Sequence, residues 1–248
     1  MNKFEGLVVL VTGGTSGIGR ETASLFASKG SEVVIFDREI EPSGSGLHFY
    51  KVDVTDSDSI KNAIDAVEKK FGRLDILINN AGISSVGTVE EASEEDWHRV
   101  LNINVVGVAR VSAASLPLLR NSECASIVNV CSIAALNGLP QRAVYSASKG
   151  AILSLTYAMA TDHVKEGIRV NCVIPGTVAT PFVEKMLQNF PDPIAERAAL
   201  NARQATGRMV APREVAGAIL YLADPQSGST TGTALEVDGG VTHLRSRN

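Results

Sequence analysis

Short runs of aliphatic and β-branched residues alternate along the chain with longer stretches whose apolar positions recur every three or four residues. The runs "GLVVLVTG" (6–13), "EVVIFD" (32–37), "LHFYKVDVTD" (47–56), "LDILINNAG" (74–82), "ASIVNVCS" (125–132), "IRVNCVIPG" (168–176) and "ALEVDGG" (234–240) predict seven strands. The intervening spacing predicts a helix through "GRETASLFASKG", ended by Gly30, and one over "SIKNAIDAVEKKFG", capped by Ser57 or Asp58. A long helix is expected from about Ser93 to Leu119, and another holds "QRAVYSASKG" (141–150). Strands that are apolar throughout and alternate with helices predict an α/β fold, a parallel sheet covered on both faces.

Two stretches break this rhythm. "REIEPSGSG" (38–46) is too short and too rich in Gly, Ser and Pro for a full helix. Residues 177–210 hold helical pieces but no strand, and a long insertion beyond a strand end predicts a mobile lid over a ligand. With no repeat, low-complexity tract or interdomain linker, residues 1–248 read as one domain.

The polar exceptions to the pattern suggest chemistry. "VTGGTSGIG" (11–19) ends the first strand and opens the first helix, with Gly13, Gly17 and Gly19 spaced G-x-x-x-G-x-G around Ile18. Such a turn lets backbone approach a pyrophosphate and aims helix N–H groups at it. Arg20 follows Gly19 where a P-loop would have Lys, which excludes that motif. Asp37 ends the second strand 18 positions after Gly19, near the spacing expected of an acid that accepts the ribose hydroxyls. Its charge repels a 2′-phosphate and so favours NAD over NADP, although Arg38 beside it is a possible phosphate partner. A plain glycine turn and a solvated acid explain each feature singly; their conjunction favours a dinucleotide.

Tyr145 and Lys149 are four residues apart, on one helix face. At pH 7 only about one free phenol in 1,000 is ionised, and a lysine ammonium beside it, with an oxidised nicotinamide ring, favours the phenolate a proton transfer needs. Alone, the pair reads as a packed ring beside a surface charge. Ser132, at the carboxyl end of the fifth strand, changes that, because open α/β sheets gather ligands there. Arg142 lies near the start of the Tyr145 helix, where the macrodipole disfavours a cation, and Arg203 lies in the predicted lid. Two arginines converging on a pocket suit a carboxylate, unless both are solvated or internally paired.

The set T-G-x-x-x-G-I-G (12–19), N-N-A-G (79–82), Ser132, Y-x-x-x-K (145–149) and P-G (175–176) resembles the short-chain dehydrogenase/reductase family in order and spacing over nearly the whole chain. The resemblance implies a single Rossmann domain that transfers hydride between NAD(P) and an alcohol or carbonyl. It implies Tyr145 as acid/base, Lys149 as its electrostatic partner and ribose ligand, and Ser132 as the group positioning the carbonyl. Asn104 matches an asparagine that supports a proton-relay water. Asp53 and Val54 resemble an adenine-contacting pair, and Asn80, Ala81 and Gly82 a segment beside the cofactor, with Asn79 tying the sheet together. Pro175, Val178 and Thr180 match nicotinamide and phosphate contacts, while Cys131 reads as packing. Within the family, "RAVYSASK", "PGTVATP" and "RQATGR" resemble the branches of cytosolic 3-hydroxybutyrate dehydrogenase and 2-keto-3-deoxy-L-fuconate dehydrogenase. One departure is Met186, near which the hydroxybutyrate branch has a further arginine; Lys185 stands beside it as a possible substitute.

A net charge of -4 gives no draw toward nucleic acid or an acidic membrane. No apolar run is long enough to span a bilayer, and "MNKFEGL" lacks a signal-peptide core. Three cysteines without a C-x-x-C pair suit a reducing cytoplasm, and four scattered histidines give little support to a metal site. The resemblance also implies a homotetramer or homodimer, for which Ala151, Leu155 and Ala158 and the end "EVDGGVTHL" (236–244) offer apolar surface. The expected function is an NAD-dependent dehydrogenase of a small hydroxy acid or sugar acid. The alternatives are a dehydrogenase of a neutral sugar, polyol, steroid or 3-ketoacyl carrier substrate, and a non-catalytic dinucleotide sensor.

Overall fold

The computed structural model describes residues 3–40, 47–188 and 190–245; most of the expected loop "REIEPSGSG" lies outside them. Seven strands form one parallel sheet: β1 Val8–Thr12, β2 Glu32–Asp37, β3 His48–Lys51, β4 Ile76–Asn79, β5 Ser126–Val130, β6 Arg169–Pro175 and β7 Ala234–Val237. Their spatial order is β3-β2-β1-β4-β5-β6-β7. The order therefore reverses between β1 and β4, which opens a crevice at their carboxyl ends.

Side-chain alternation explains why these strands are apolar throughout. Val8 and Leu10 of β1 face one layer with Val34, Phe36, Leu77, Ile127 and Val170. Val9 and Val11 face the other with Val33, Ile35, Ile76, Ile78 and Val173. Helices α2 (Ser57–Phe71), α4 (Gly107–Leu119) and α5 (Ala143–His163) cover the first face. Helices α1 (Gly17–Ser28) and α8 (Pro212–Ala223) cover the second. Asn79, Ser112, Asn129 and Thr156 make a buried polar chain beneath the crevice: the Asn79 amide donates to Ser112 (3.0 Å) and Asn129 (2.9 Å), and Asn129 donates to Thr156 (3.0 Å). Asn79 thus ties β4, α4 and β5 together, as expected of it.

Three local expectations need revision. The cap of α2 is Asp56, not Ser57 or Asp58: its extended backbone lets the carboxylate accept from the N–H groups of Asp58 (2.9 Å) and Ser59 (3.2 Å). The long helix does begin after its cap Ser93, but it is α3 (Glu94–Leu101) and α4 joined by a π turn over Asn102–Val106. The run Glu94–Leu119 contains an 18-residue stretch of mean hydropathy 1.3 and is long and apolar enough to cross a membrane. Its Val100, Val108, Val111, Leu118 and Leu119 are instead buried within this domain. Finally, Leu155 packs inward against the core, while Tyr157 and Ala158 are exposed.

Residues 177–210 form α6 (Pro181–Leu187) and α7 (Pro193–Arg203), which share a small core of Leu187, Leu200 and Met209. A bridge between Val178 and Val210 closes the root of this excursion. Gln204, almost fully buried, ties the end of α7 back to the start of the excursion: its amide accepts from Thr177 N–H (2.8 Å) and donates to the Leu200 carbonyl (2.7 Å).

Candidate active site

The crevice is a cavity of about 1220 Å³ running from Asp37 and Asp53 at one end to Arg142, Met186 and Arg203 at the other. At its centre the glycine turn leaves β1 and enters α1. Thr12 Oγ1 accepts from the N–H groups of Asn80 and Ala81, both at 3.0 Å, locking this turn to the segment after β4. The Asn80 amide in turn donates to the carbonyls of Thr12 (3.0 Å) and Gly13 (2.9 Å).

Among the expected cofactor contacts, Gly19 is the one that does not line the cavity, as its neighbours Gly13, Gly17 and Ile18 do. A Cβ on Gly19 would overlap the Gly13 carbonyl oxygen and lie 2.5 Å from the Asn80 amide. It therefore serves close packing of helix on turn rather than contact with a ligand. The first turn of α1 carries no acidic side chain and its cap Ser16 makes no side-chain cap bond, so its N–H groups remain directed at the cavity.

Asp37 sits at the rim, where its carboxylate accepts from Thr15 Oγ1 (2.7 Å) and Thr15 N–H (3.2 Å). Asp53 is held by the Thr55 hydroxyl (2.7 Å) and N–H (2.8 Å), and these bonds, with the charge of Arg38, hold its carboxyl below the usual range. Val54, Ala81, Gly82, Pro175, Val178 and Thr180 also line the cavity. Thr180 additionally caps α6 through Val183 N–H (3.3 Å). The glycine cradle, the free helix N-terminus and the rim carboxylate fit an extended dinucleotide lying across the sheet edge.

Ser132, Tyr145 and Lys149 come together on the cavity wall beyond Gly82. Ser132, two residues beyond β5, opens a short 3₁₀ turn, accepting from Ala134 N–H at 3.2 Å. Lys149 is 6% exposed; its ammonium donates to the Val130 carbonyl (2.8 Å) and stands 5.7 Å from the Tyr145 ring centroid. Asn104 lies behind this wall and not on it. Its amide accepts from Ile83 N–H (2.8 Å) and donates to the Ile83 carbonyl (2.9 Å) and Ser148 Oγ (3.0 Å). Ser148 donates onward to the Tyr145 carbonyl (2.7 Å). The π turn is what rotates Asn104 into this buried position. Cys131 is 3% exposed, with its thiol directed to the Lys149 carbonyl (3.2 Å), and packs as expected.

Arg142 and Arg203 both line the far end, and neither meets a carboxylate among the described residues. Arg142 is half-buried, its guanidinium donating to the Ser85 (3.3 Å) and Gln141 (3.4 Å) carbonyls and lying 4.0 Å from the Met186 sulfur. Burial lowers its pKa, Tyr145 opposes this, and the charge of Arg203 adds to the lowering. Lys185 is exposed and does not line the cavity, whereas Met186 does. The sequence motifs give no role to Thr15, Ser148 and Gln204. Only Ser148 had a visible signal, its place between Tyr145 and Lys149 on one helix.

Relatives match this chain almost end to end. A family model described as enoyl-(acyl carrier protein) reductase matches residues 13–242. The 3-oxoacyl-(acyl-carrier-protein) reductase FabG of Thermotoga maritima is 37% identical, over 96% of this chain and 99% of its own. Dehydrogenase/reductase SDR family member 6 of Xenopus laevis is 36% identical, over 97% and 99%. The ligand-free aldohexose dehydrogenase of Thermoplasma acidophilum superposes with a TM-score of 0.93 at 32% identity, covering 100% of this chain and 99% of that one. These proteins differ in substrate and agree in fold and chemistry, and the chain accordingly belongs to the short-chain dehydrogenase/reductase family, an oxidoreductase of alcohols and ketones that works with a nicotinamide dinucleotide.

Proposed function

We propose that the protein is an NAD-dependent dehydrogenase acting on the secondary alcohol or ketone of a hydroxy acid. The observation that carries the acid is the pair Arg142 and Arg203, two cavity-lining cations without an acidic partner among the described residues. Such a pair is at its most favourable when an anion lies between them. Asp37 supports NAD: its carboxylate is fixed by Thr15 at the rim, where a 2′-phosphate would meet like charge. Arg38, the competing feature, interacts with Asp53.

When bound, the nicotinamide ring supplies the hydride acceptor or donor. The chain's own groups handle the oxygen and its proton. Ser132 holds the substrate oxygen, and Tyr145 takes the alcohol proton during oxidation or returns it during reduction. Lys149, anchored on the Val130 carbonyl, stands beside the Tyr145 ring and would hold the ribose of a bound dinucleotide. Asn104 acts by position: with its amide committed to Ile83 and Ser148, it fixes the loop after Gly82 to the helix bearing Tyr145. Gly13, Gly17 and Ile18 receive the pyrophosphate. Asp37, Asp53 and Val54 receive the adenosine, while Asn80, Ala81, Gly82, Pro175, Val178 and Thr180 enclose the nicotinamide half. Residues 177–210 act as the lid, and Arg203 rides on it. Three free cysteines suit a reducing cytoplasm.

The test is a rate screen with NAD and NADP against hydroxy acids, sugar acids and their neutral analogues. NAD and the acids should win, and Arg203→Ala should lower kcat/KM for the acids roughly ten- to 150-fold, as expected for losing a charge-assisted bond of about 1.5–3 kcal/mol. Equal turnover of neutral analogues removes the carboxylate from the reading.

A further inference from the structure

We infer that the substrate is a hydroxy acid with an apolar body rather than a polyhydroxylated sugar acid. This rests on the carboxylate reading above. Beyond Tyr145 the cavity has two kinds of wall. One is cationic, from Arg142 and Arg203; the other is apolar, from Leu139, Phe182, Val183, Met186 and Leu200.

The chemistry of the polar lining separates the two ligand classes. A sugar acid carries several hydroxyls, and each one left unpaired on leaving water costs binding. Proteins meet such hydroxyls with amide and carboxylate side chains that accept and donate together. The carboxylates of this cavity, Asp37, Glu39 and Asp53, lie in or directly after β2 and β3, on the far side of the glycine turn from Tyr145. Of its amides, Asn80 gives its N–H groups to the Thr12 and Gly13 carbonyls, and Asn102 gives its oxygen to Arg110 (2.8 Å). Among the described residues the lid contributes none: its cavity-facing side chains are Thr177, Val178, Thr180, Pro181, Phe182, Val183, Met186, Leu200 and Arg203.

Met186 is the pivotal position. Its sulfur lies 4.0 Å from the Arg142 guanidinium, so a thioether stands where a polar group would reach a second substituent of the substrate. A thioether is apolar and conformationally adaptable, suited to chains of varying length. Phe182, one turn earlier on α6, is 60% exposed at the cavity rim. An alkyl chain running from the carbinol carbon over Met186 toward Phe182 removes both from water, while the carboxylate stays between the arginines.

Arg142 caps α5 three residues before Tyr145, so its guanidinium and the Tyr145 hydroxyl share one end of the cavity and 3-hydroxy acids are suitable probes. With NAD, kcat/KM should rise from four to six to eight carbons by about fourfold per methylene, the equivalent of about 0.8 kcal/mol per buried CH₂. Gluconate should fall at least about 100-fold below the eight-carbon acid, the loss expected when several hydroxyls lack partners. Calorimetric titration of the NAD-loaded protein with butanoate, hexanoate and octanoate should show the same progression in Kd. Met186→Gln should flatten both progressions. Phe182→Ser, at an exposed site that folding does not need, should do so independently. Acids preferred but with no dependence on chain length, or gluconate preferred, overturns the inference and leaves the carboxylate reading intact. Neutral alcohols turned over as well as their acids overturn both.

Discussion

Tyr145 and Lys149 are effective as a pair only because each is held. Lys149 is almost fully buried, and a buried ammonium is costly without an acceptor; the Val130 carbonyl provides one at 2.8 Å. Tyr145 is fixed through its own carbonyl by Ser148, which Asn104 anchors in turn. Replacing Tyr145 with Phe keeps the ring and removes the proton donor. Turnover should drop by about 10²-fold or more, the scale of general acid–base catalysis. Fluorescence titration with the dinucleotide should show binding retained; turnover at the parent rate would dismiss Tyr145 as the acid/base. The motif residues were legible in the sequence because i,i+4 spacing fixes a common face. Arg142 was legible only as a candidate, since its carbonyl partners come from a loop 57 positions away and its own neighbour.

At the level of elements, the seven strands and their helices follow from apolar periodicity, but their junctions do not. The α2 cap moved to Asp56, and the long helix acquired a π turn, because both depend on local backbone torsion that composition does not encode. The join between lid and α8 shows how one side chain fixes such a junction. Glu214 accepts from Arg208 (2.7 Å to each carboxylate oxygen) and from Ala211 N–H (2.7 Å). The Arg208 bond first, then the Ala211 N–H, draw its pKa down from 4.5 to about 2. Because the folded-state value is depressed, this stabilisation is present above pH 4.5 and lost as pH falls toward 2. Melting temperatures of the parent and Glu214→Gln should therefore differ by a constant amount above pH 5 and converge between pH 4.5 and 2. Glu214 is largely exposed, so 1 M salt should shrink the difference. A gap that widens on acidification would contradict the assignment.

For the whole molecule, the sheet order places every chemical group at the carboxyl edge, where β1 and β4 diverge. Self-association through the outer helices is the prediction at this scale. Tyr157 and Ala158 of α5 and Val106 at the end of the π turn remain exposed in the single chain, Tyr157 by 44% and Val106 by 41%. Sedimentation should give two or four times the chain mass of 26.1 kDa. Ala158→Glu, which buries a charge if that face is shared, should shift the distribution toward smaller species. A parent protein sedimenting as a single chain would rule out the interface.

The sequence by itself determined the class of fold, the glycine turn and the Tyr145–Lys149 pair, because strand and helix periods fix which residues share a face over a few positions. It also marked Asp37, whose place at the end of β2 follows from counting. Only the tertiary structure decided that Asn104 and Gly19 lie behind the cavity, that Lys185 stays outside it, and that Met186 stands beside Arg142. Those outcomes depend on where separate elements meet. Contacts between α5, the loop after β4 and α6 are set by packing across the sheet, and residues far apart in the chain acquire a common environment only when that packing is complete.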